Sequence, residues 1–277
     1  MRHRAFRDTW LRRIRYAAIK VVLTDKPGDA AAILADEHEF DGIAAVGGDG
    51  TVFEILPALN PNHQCLTVLP AGRGNSLARA LGFGAMPQAL SALRHGIELP
   101  MDLMLLKAVH ADGRTTRAVC ASTIAVGYVA AVVARARNFA GGGHHGYTLA
   151  GLLTGPCFSE IGLGYDNEAS QTKALTGLVI SNVDHVAQYR AFPRARLDDG
   201  CLHAMELDAS RFRQLRNNIS MLAGLYPAVS IRAGKRVRVK LEAPEWLLAD
   251  GEILEAVREF SVDCVAGAMI CNRAADT

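Results

Sequence analysis

Two glycine-rich turns and a distant acid are the residues with which this chain could do chemistry. Val46-Gly47-Gly48-Asp49-Gly50-Thr51 follows a short apolar run, Ile43 to Val46, and precedes a helical stretch, Val52 to Leu59. Glycines at such a turn let backbone N–H groups converge on an anion, and the positive end of the helix would face the same anion. The residues also fit a plain strand-to-helix turn in which Asp49 is a local cap. A P-loop would need Lys-Ser or Lys-Thr after its last glycine, and a dinucleotide fingerprint would need three glycines spaced into a helix; neither is present. A second turn, Pro70-Ala71-Gly72-Arg73-Gly74-Asn75, follows another apolar run, Cys65 to Leu69, and leads into a helical stretch, Ser76 to Leu81. Two such turns would lie side by side at the carboxyl edge of a parallel sheet, where open α/β sheets bind ligands.

Other polar segments carry weaker signals. Asp250-Gly251 is a hairpin signal of the type I′ kind, with Glu252 directly after it. Asp198-Asp199-Gly200 is likewise a turn, and Asp102 reads as a cap or a surface charge before a strand. Gly141-Gly142-Gly143-His144-His145-Gly146 is a surface connection in the absence of a third metal ligand nearby. Arg7, Arg12, Arg13, Arg15 and Lys20 share a segment with Trp10, Leu11 and Ile14. That pattern fits a helix packed on the sheet with a solvated basic face, or one resting on anionic lipid.

The elements that must position these residues alternate at first. Helix Arg7 to Ala17, strand Ile19 to Leu23, helix Asp29 to His38, strand Ile43 to Val46 and helix Val52 to Leu59 are expected. Strand Cys65 to Leu69 and helices Ser76 to Leu81 and Pro87 to His95 follow, the last stopping at Gly96. Such alternation means parallel strands joined by helical crossovers. After Leu99 the texture changes to strand-like runs at Thr116 to Thr123, Leu175 to Ser181, Cys201 to Leu207, Val237 to Leu241 and Phe260 to Val265. Asp-Gly turns begin at 112, 199 and 250, and two helices fall at Val129 to Asn138 and Arg211 to Ala223. The expected fold class is α/β: an N-terminal three-layer parallel-sheet nucleotide-binding domain over 1–98, and a mainly antiparallel, β-rich second domain over 99–277. The last residues of the second domain can return to the first, and a cleft separates the two.

Composition narrows the function. With 277 residues, half of them hydrophobic, the chain can bury a sizeable core in two domains. A formal charge of +2 and the lack of basic runs interleaved with aromatics argue against nucleic acid as a partner. The six cysteines form no Cys-x-x-Cys pair and read as reduced thiols of a cytosolic protein rather than a zinc site. The most apolar stretch, Ala118 to Ala134, is broken by Ser122, Thr123, Gly127 and Tyr128, so it reads as a buried strand followed by a helix, not a membrane span.

At Gly47 to Thr51, with Glu54 three residues on, and at Leu69 to Gly82, which reads LPAGRGNSLARALG, the chain resembles the diacylglycerol kinase catalytic domain family, a group that includes sphingosine, ceramide and bacterial lipid kinases. Thr24, Asp102, the Asp198-Asp199-Gly200 turn and Asp250-Gly251-Glu252 fall in the family's order. The resemblance implies an ATP- and magnesium-dependent lipid kinase. Gly47, Gly48, Asp49, Gly50, Thr51, Gly72, Arg73, Gly74 and Asn75 would cradle the nucleotide, and Thr24 would lie near its base or ribose. Asp49 would position metal or phosphates, and Glu252 would act as general base for the lipid hydroxyl. It also implies a structural magnesium or calcium site at Asp199 with nearby backbone carbonyls, an oxygen set suited to a hard cation. The partners are ATP and a diacylglycerol-like or sphingoid lipid at a membrane surface, for a cytoplasmic, peripherally associated protein, and a homodimer is compatible with this reading.

The chain departs from that family in three places. The family opens with a strand ending in Asn-Pro-x-x-Gly, and this chain starts at the helix that would follow, so an open sheet edge is expected. Arg73 stands where the family has threonine, placing a fork of charged donors at the phosphates. Phe53 replaces an asparagine and removes a polar contact. The alternatives are an NAD kinase-like activity, disfavoured by the Gly-x-Gly-Asn turn, and a non-catalytic nucleotide- or lipid-binding protein.

Overall fold

The structure, a computed structural model, describes residues 20–26, 28–35, 39–136, 150, 151, 154, 159–208, 210, 213, 216, 217, 219, 220, 225–227 and 229–274. The basic segment 7–17 and the glycine-histidine run 141–146 lie outside them. So do Ile19, residues 36–38, residues 137 and 138, and much of the helix expected over 211–223, whose described members at 213, 216, 217, 219 and 220 are helical.

The first hundred residues alternate as their apolar spacing dictates. Helix α1 is Asp29–Ala35, strand β1 Gly42–Gly47 and helix α2 Asp49–Ile55, which tightens into a 3-10 turn at Leu56–Ala58. Strand β2 is Cys65–Pro70, helix α3 Ser76–Ala80 and helix α4 Met86–His95. The side chain of Gln88 accepts from the Ala85 N–H to start α4, and Gly96 caps its end. Helix α2 begins at Asp49 rather than Val52, so Asp49 and Gly50 belong to its first turn.

The remaining strands are β3 (Ile97–His110), β4 (Thr115–Cys120) and β5 (Thr123–Gly127), then helix α5 (Tyr128–Ala136). They continue with β6 (Ser159–Tyr165), β7 (Gln171–Ser181), the short pair β8 (His185–Val186) and β9 (Tyr189–Arg190), and β10 (Leu202–Asp208). Strands β11 (Ser230–Gly234), β12 (Arg236–Ala249) and β13 (Glu252–Arg273) complete the described chain. The single strand expected over Thr116 to Thr123 is two. Ala121 and Ser122 leave the ladder because their N–H groups turn to the Asp250 carboxylate.

This is a mixed α/β fold. The parallel pairs are β1 with β2, and β2 with the end of β13; the other pairings of the large sheet are antiparallel. Strands β3 and β13 are long enough, at 14 and 22 residues, to run through both halves. Their ends pair at Ile97↔Arg273 to Met101↔Met269, and Ile270 and Cys271 join β2. One continuous sheet therefore joins what the sequence divides into two domains.

Strand β5, the last residues of β7 and the end of β12 at Leu247 to Ala249 are covered on both faces, which is why these segments are mostly apolar. Ile124, Val126, Leu178, Ile180, Leu247 and Ala249 point into one core, while Ala125, Val179 and Leu248 point into another beside α5. A third core, around Val52, Leu66, Val68, Leu77, Phe83 and Met101, packs α2, α3 and α4 on the small parallel part. β1 is an edge strand among the described residues, and Val46 is 40% exposed. The strand expected at Ile19 to Leu23 is not formed over its described residues. Val21, Val22 and Leu23 are exposed, and among the described residues no strand pairs with them.

Candidate functional site

The two glycine turns touch. Gly47 O accepts from Ala71 N–H at 2.9 Å, extending the β1–β2 ladder into the loops, and Gly48 O accepts from Thr51 N–H to open α2. A Cβ placed on Gly72 would lie 2.4 Å from Gly48 Cα, and one on Gly47 would lie 2.2 Å from the Thr51 hydroxyl. Only glycine permits this approach. Asn75 closes the second turn. Its backbone is left-handed, its Oδ1 accepts from Gly72 N–H at 2.9 Å and its Nδ2 donates to Gly72 O at 3.0 Å.

Asp49 ties the turns together from the side. Its carboxylate accepts from Ser76 N–H and Leu77 N–H, both at 3.1 Å, so it caps α3 from a distant element. Burial raises its pKa above 3.8, against the pull of the two backbone donors. Asp49 is thus a cap, as the plain turn reading has it, but of α3 rather than of its own helix.

The acidic hairpin completes the group. Asp250 and Gly251 both have positive φ, at 44° and 92°, and form the two-residue connection of β12 and β13, as the type I′ signal predicts. Asp250 is buried and accepts from the N–H groups of Ala121, Ser122 and Thr123 and from the Ser122 hydroxyl, over 2.5 to 2.9 Å. Burial raises its carboxyl from 3.8 to about 6, the Ser122 hydroxyl and backbone donors lower it, and the Asp49 charge raises it further. The hairpin is thereby pressed onto the first turn. A Cβ on Gly251 would stand 3.3 Å from Gly50 N, and one on Gly50 would stand 3.0 Å from Glu252 Oε1. Glu252 is exposed beside Gly50, and Asp49 Cβ lies 3.9 Å from the position a Cβ on Gly251 would take.

Structure therefore brings Gly47, Gly48, Asp49, Gly50, Thr51, Gly72, Gly74, Asn75 and Glu252 into one group. Arg73 belongs to the turn but reaches across to α5, where its guanidinium donates to Ala136 O at 3.2 Å. Thr24 lies exposed in the segment that forms no strand, and the contacts uniting the turns do not include it. Phe53 is part-buried and packs against the core of the β-rich half, so the residue that removes a polar contact adds an apolar one between the two halves.

Asp199 sits in a separate cluster. Its Oδ1 accepts from Cys201 N–H and its Oδ2 from Arg196 N–H, with His203 Nε2 at 2.8 Å from the same oxygen. These are donors, and among the described residues no three of His, Cys, Asp and Glu converge as metal ligands. Asp102 is not a surface charge. It is buried inside β3, and its carboxylate accepts from Gly200 N–H at 2.6 Å and Gly267 N–H at 2.7 Å. Asn182 Nδ2 donates to its carbonyl at 2.6 Å.

Sequence reasoning missed the second-domain cover of the site. The Ala187 N–H donates to Ser76 Oγ at 2.9 Å, and the β8–β9 turn lies over Gly74, whose Cβ would meet Ala187 at 3.5 Å. Ala187 has φ 52°, a conformation usually signalled by glycine or asparagine, so no turn signal marks it. The anchoring role of Asp250 is also invisible locally, because its partners lie 127 to 129 residues away.

The model of the Diacylglycerol kinase catalytic domain matches residues 7–106. The "Probable lipid kinase YegS-like" of Stenotrophomonas maltophilia is 27% identical over 284 residues, covering 90% of this chain and 84% of that protein. A "Diacylglycerol kinase" of Staphylococcus saprophyticus is 25% identical over 258 residues, covering 83% and 76%. In fold, the chain resembles the crystal structure of a diacylglycerol kinase from Bacillus anthracis, with a TM-score of 0.72 and 19% identity over 90% of this chain and 84% of that one.

Proposed function

We propose that this chain, whose residues 7–106 match the model of the Diacylglycerol kinase catalytic domain, is a lipid kinase that transfers the γ-phosphoryl group of ATP to a hydroxyl of a diacylglycerol-like or sphingoid lipid. Two relatives are named as a probable lipid kinase and a diacylglycerol kinase. The observation that carries the reading is the seating of Glu252 against Gly50, which unites an acid from the β-rich half with two glycine turns from the other. The close approach of Gly48 and Gly72 leaves a backbone-lined cradle free of Cβ atoms, a surface suited to phosphate oxygens.

In this reading the turns bind the phosphates of a magnesium–ATP substrate and Glu252 accepts the proton of the lipid hydroxyl as that oxygen attacks phosphorus in line. Asp49 holds α3 so that the second turn keeps its shape, and it would be the carboxylate available to a magnesium ion held by the nucleotide's phosphates, which would neutralise charge on them. Asp250 positions Glu252 through the buried hydrogen bonds of the hairpin.

Tyr128, Val129, Val179, Val186, Met205 and Leu207 line a small apolar cavity of about 70 Å3. Apolar walls with few polar groups suit the end of an acyl or sphingoid chain. Among the described residues no helix is long and apolar enough to cross a membrane. In this reading the lipid is met at a bilayer surface. The test is a panel of diacylglycerol, phosphatidylglycerol, sphingosine, ceramide and NAD offered with magnesium and ATP. Transfer to a lipid supports the proposal, and transfer to NAD alone would replace it with the NAD kinase-like reading.

A further inference from the structure

Arg73 is the one charged side chain of the second glycine turn, set between Gly72 and Gly74, and its Nη1 donates to the carbonyl of Ala136. Ala136 is the last described residue of α5, and it is buried. The bond is therefore a clamp between the turn and the helix.

The opposite end of α5 is a joint. Gly127 has φ 76°, and a Cβ there would stand 2.5 Å from Thr176 O, so the strand passes into the helix through a position that only glycine fills without strain. Tyr128 and Val129, the first residues after the joint, line the apolar cavity. Helix α5 packs Val129, Ala130 and Val133 on the sheet, with a glycine joint at the cavity end and a guanidinium clamp at the glycine turn.

We propose that Arg73 couples the nucleotide turn to the apolar cavity through α5. A phosphate oxygen is a stronger partner for a guanidinium than a neutral carbonyl is. Nucleotide bound on Gly72 to Asn75 competes with Ala136 for Arg73, releases the last turn of α5 and lets the helix give way where Tyr128 and Val129 wall the cavity. Nucleotide and lipid then bind with positive cooperativity, and by linkage each tightens the other by the same factor. The inference rests on the reading of the turn as the nucleotide site.

The experiment uses the full chain with a non-hydrolysable ATP analogue and a short-chain fluorescent diacylglycerol in mixed micelles as the probe. Backbone hydrogen exchange over residues 128–136 is followed alongside, for the wild type, Arg73→Thr and Arg73→Lys. In the wild type the analogue is expected to tighten probe binding at least about fivefold and to speed exchange in the last turn of α5. In Arg73→Thr that turn exchanges fast without nucleotide, and the coupling factor falls below about twofold. Arg73→Lys, which keeps one charged donor, falls between the two. An unchanged coupling factor in Arg73→Thr, or α5 exchange in the wild type that ignores the nucleotide, overturns the proposal, and the exchange arm decides alone if the probe does not bind. Failure of the wild type to bind any nucleotide would remove the kinase reading as well, which separates the two failures.

Discussion

Asp250→Asn tests how the acidic hairpin is held. The wild-type carboxyl is buried, and its pKa is raised from 3.8 to about 6, so the folded state holds a proton more tightly than the unfolded chain. The sign follows from linkage. The stabilisation is fully present below about pH 4, and it is lost as pH rises through the folded value near 6. A shift of about 2 units corresponds to about 3 kcal/mol. Asparagine keeps the shape and, with its oxygen at the Oδ1 position, the partners Ser122 and Thr123, but it turns an amide NH2 toward Ala121 N–H. Facing two donors together costs about 1–3 kcal/mol at every pH. The assay is urea unfolding of both proteins from pH 4 to pH 7.5, with the slopes compared to confirm that the same surface is exposed. The stability advantage of the wild type over the variant should shrink by about 3 kcal/mol from pH 4 to pH 7. Parallel curves would refute the reasoning. A wild type that gains on the variant between pH 4 and 6 would show that the backbone donors outweigh burial.

Four further perturbations address the remaining parts. Gly72→Ala drives a Cβ to within 2.4 Å of Gly48 Cα and should cost about 1–3 kcal/mol in thermal or urea unfolding while abolishing nucleotide binding by calorimetry. Gly42→Ala, which meets nothing closer than 3.9 Å, should change stability by less than about 0.5 kcal/mol. Leu207→Trp, which fills the apolar cavity, should raise the KM for lipid while leaving the KM for ATP within about twofold, as expected when only uniform binding of the lipid is lost. Asp102→Ala leaves Gly200 N–H and Gly267 N–H without their acceptor and should destabilise the chain by about 2–5 kcal/mol in urea unfolding.

The glycine turns were legible because their physics is local. A strand, a glycine pair and a helix start within a dozen residues specify both the bend and the N–H cluster, and the order of apolar runs before Leu99 places the two turns at one sheet edge. What the sequence hides is non-local. Asp49 reads as a cap of its own helix, yet it caps α3, whose first residues lie 27 and 28 positions on. Asp102 reads as a cap or a surface charge, and its actual acceptor role is hidden because it depends on Gly200 and Gly267, 98 and 165 residues away. The two-domain division is softer than the change in texture suggests, since β3 and β13 carry one sheet through both halves. The apolar run Val21 to Leu23 shows the converse. Strand propensity alone does not make a strand where no neighbour offers a ladder.

The central claim is that Glu252, seated on the glycine turns by the Asp250 hairpin, takes the proton of a lipid hydroxyl as ATP gives up its γ-phosphoryl group. Its most direct measurement is transfer of a labelled γ-phosphate from magnesium–ATP to lipid in mixed micelles by the wild type and by Glu252→Gln. Labelled phospholipid from the wild type is expected, with kcat about 100- to 10,000-fold lower in the variant and nucleotide affinity preserved. Nucleotide binding without transfer to any lipid, or equal turnover by the variant, would contradict it.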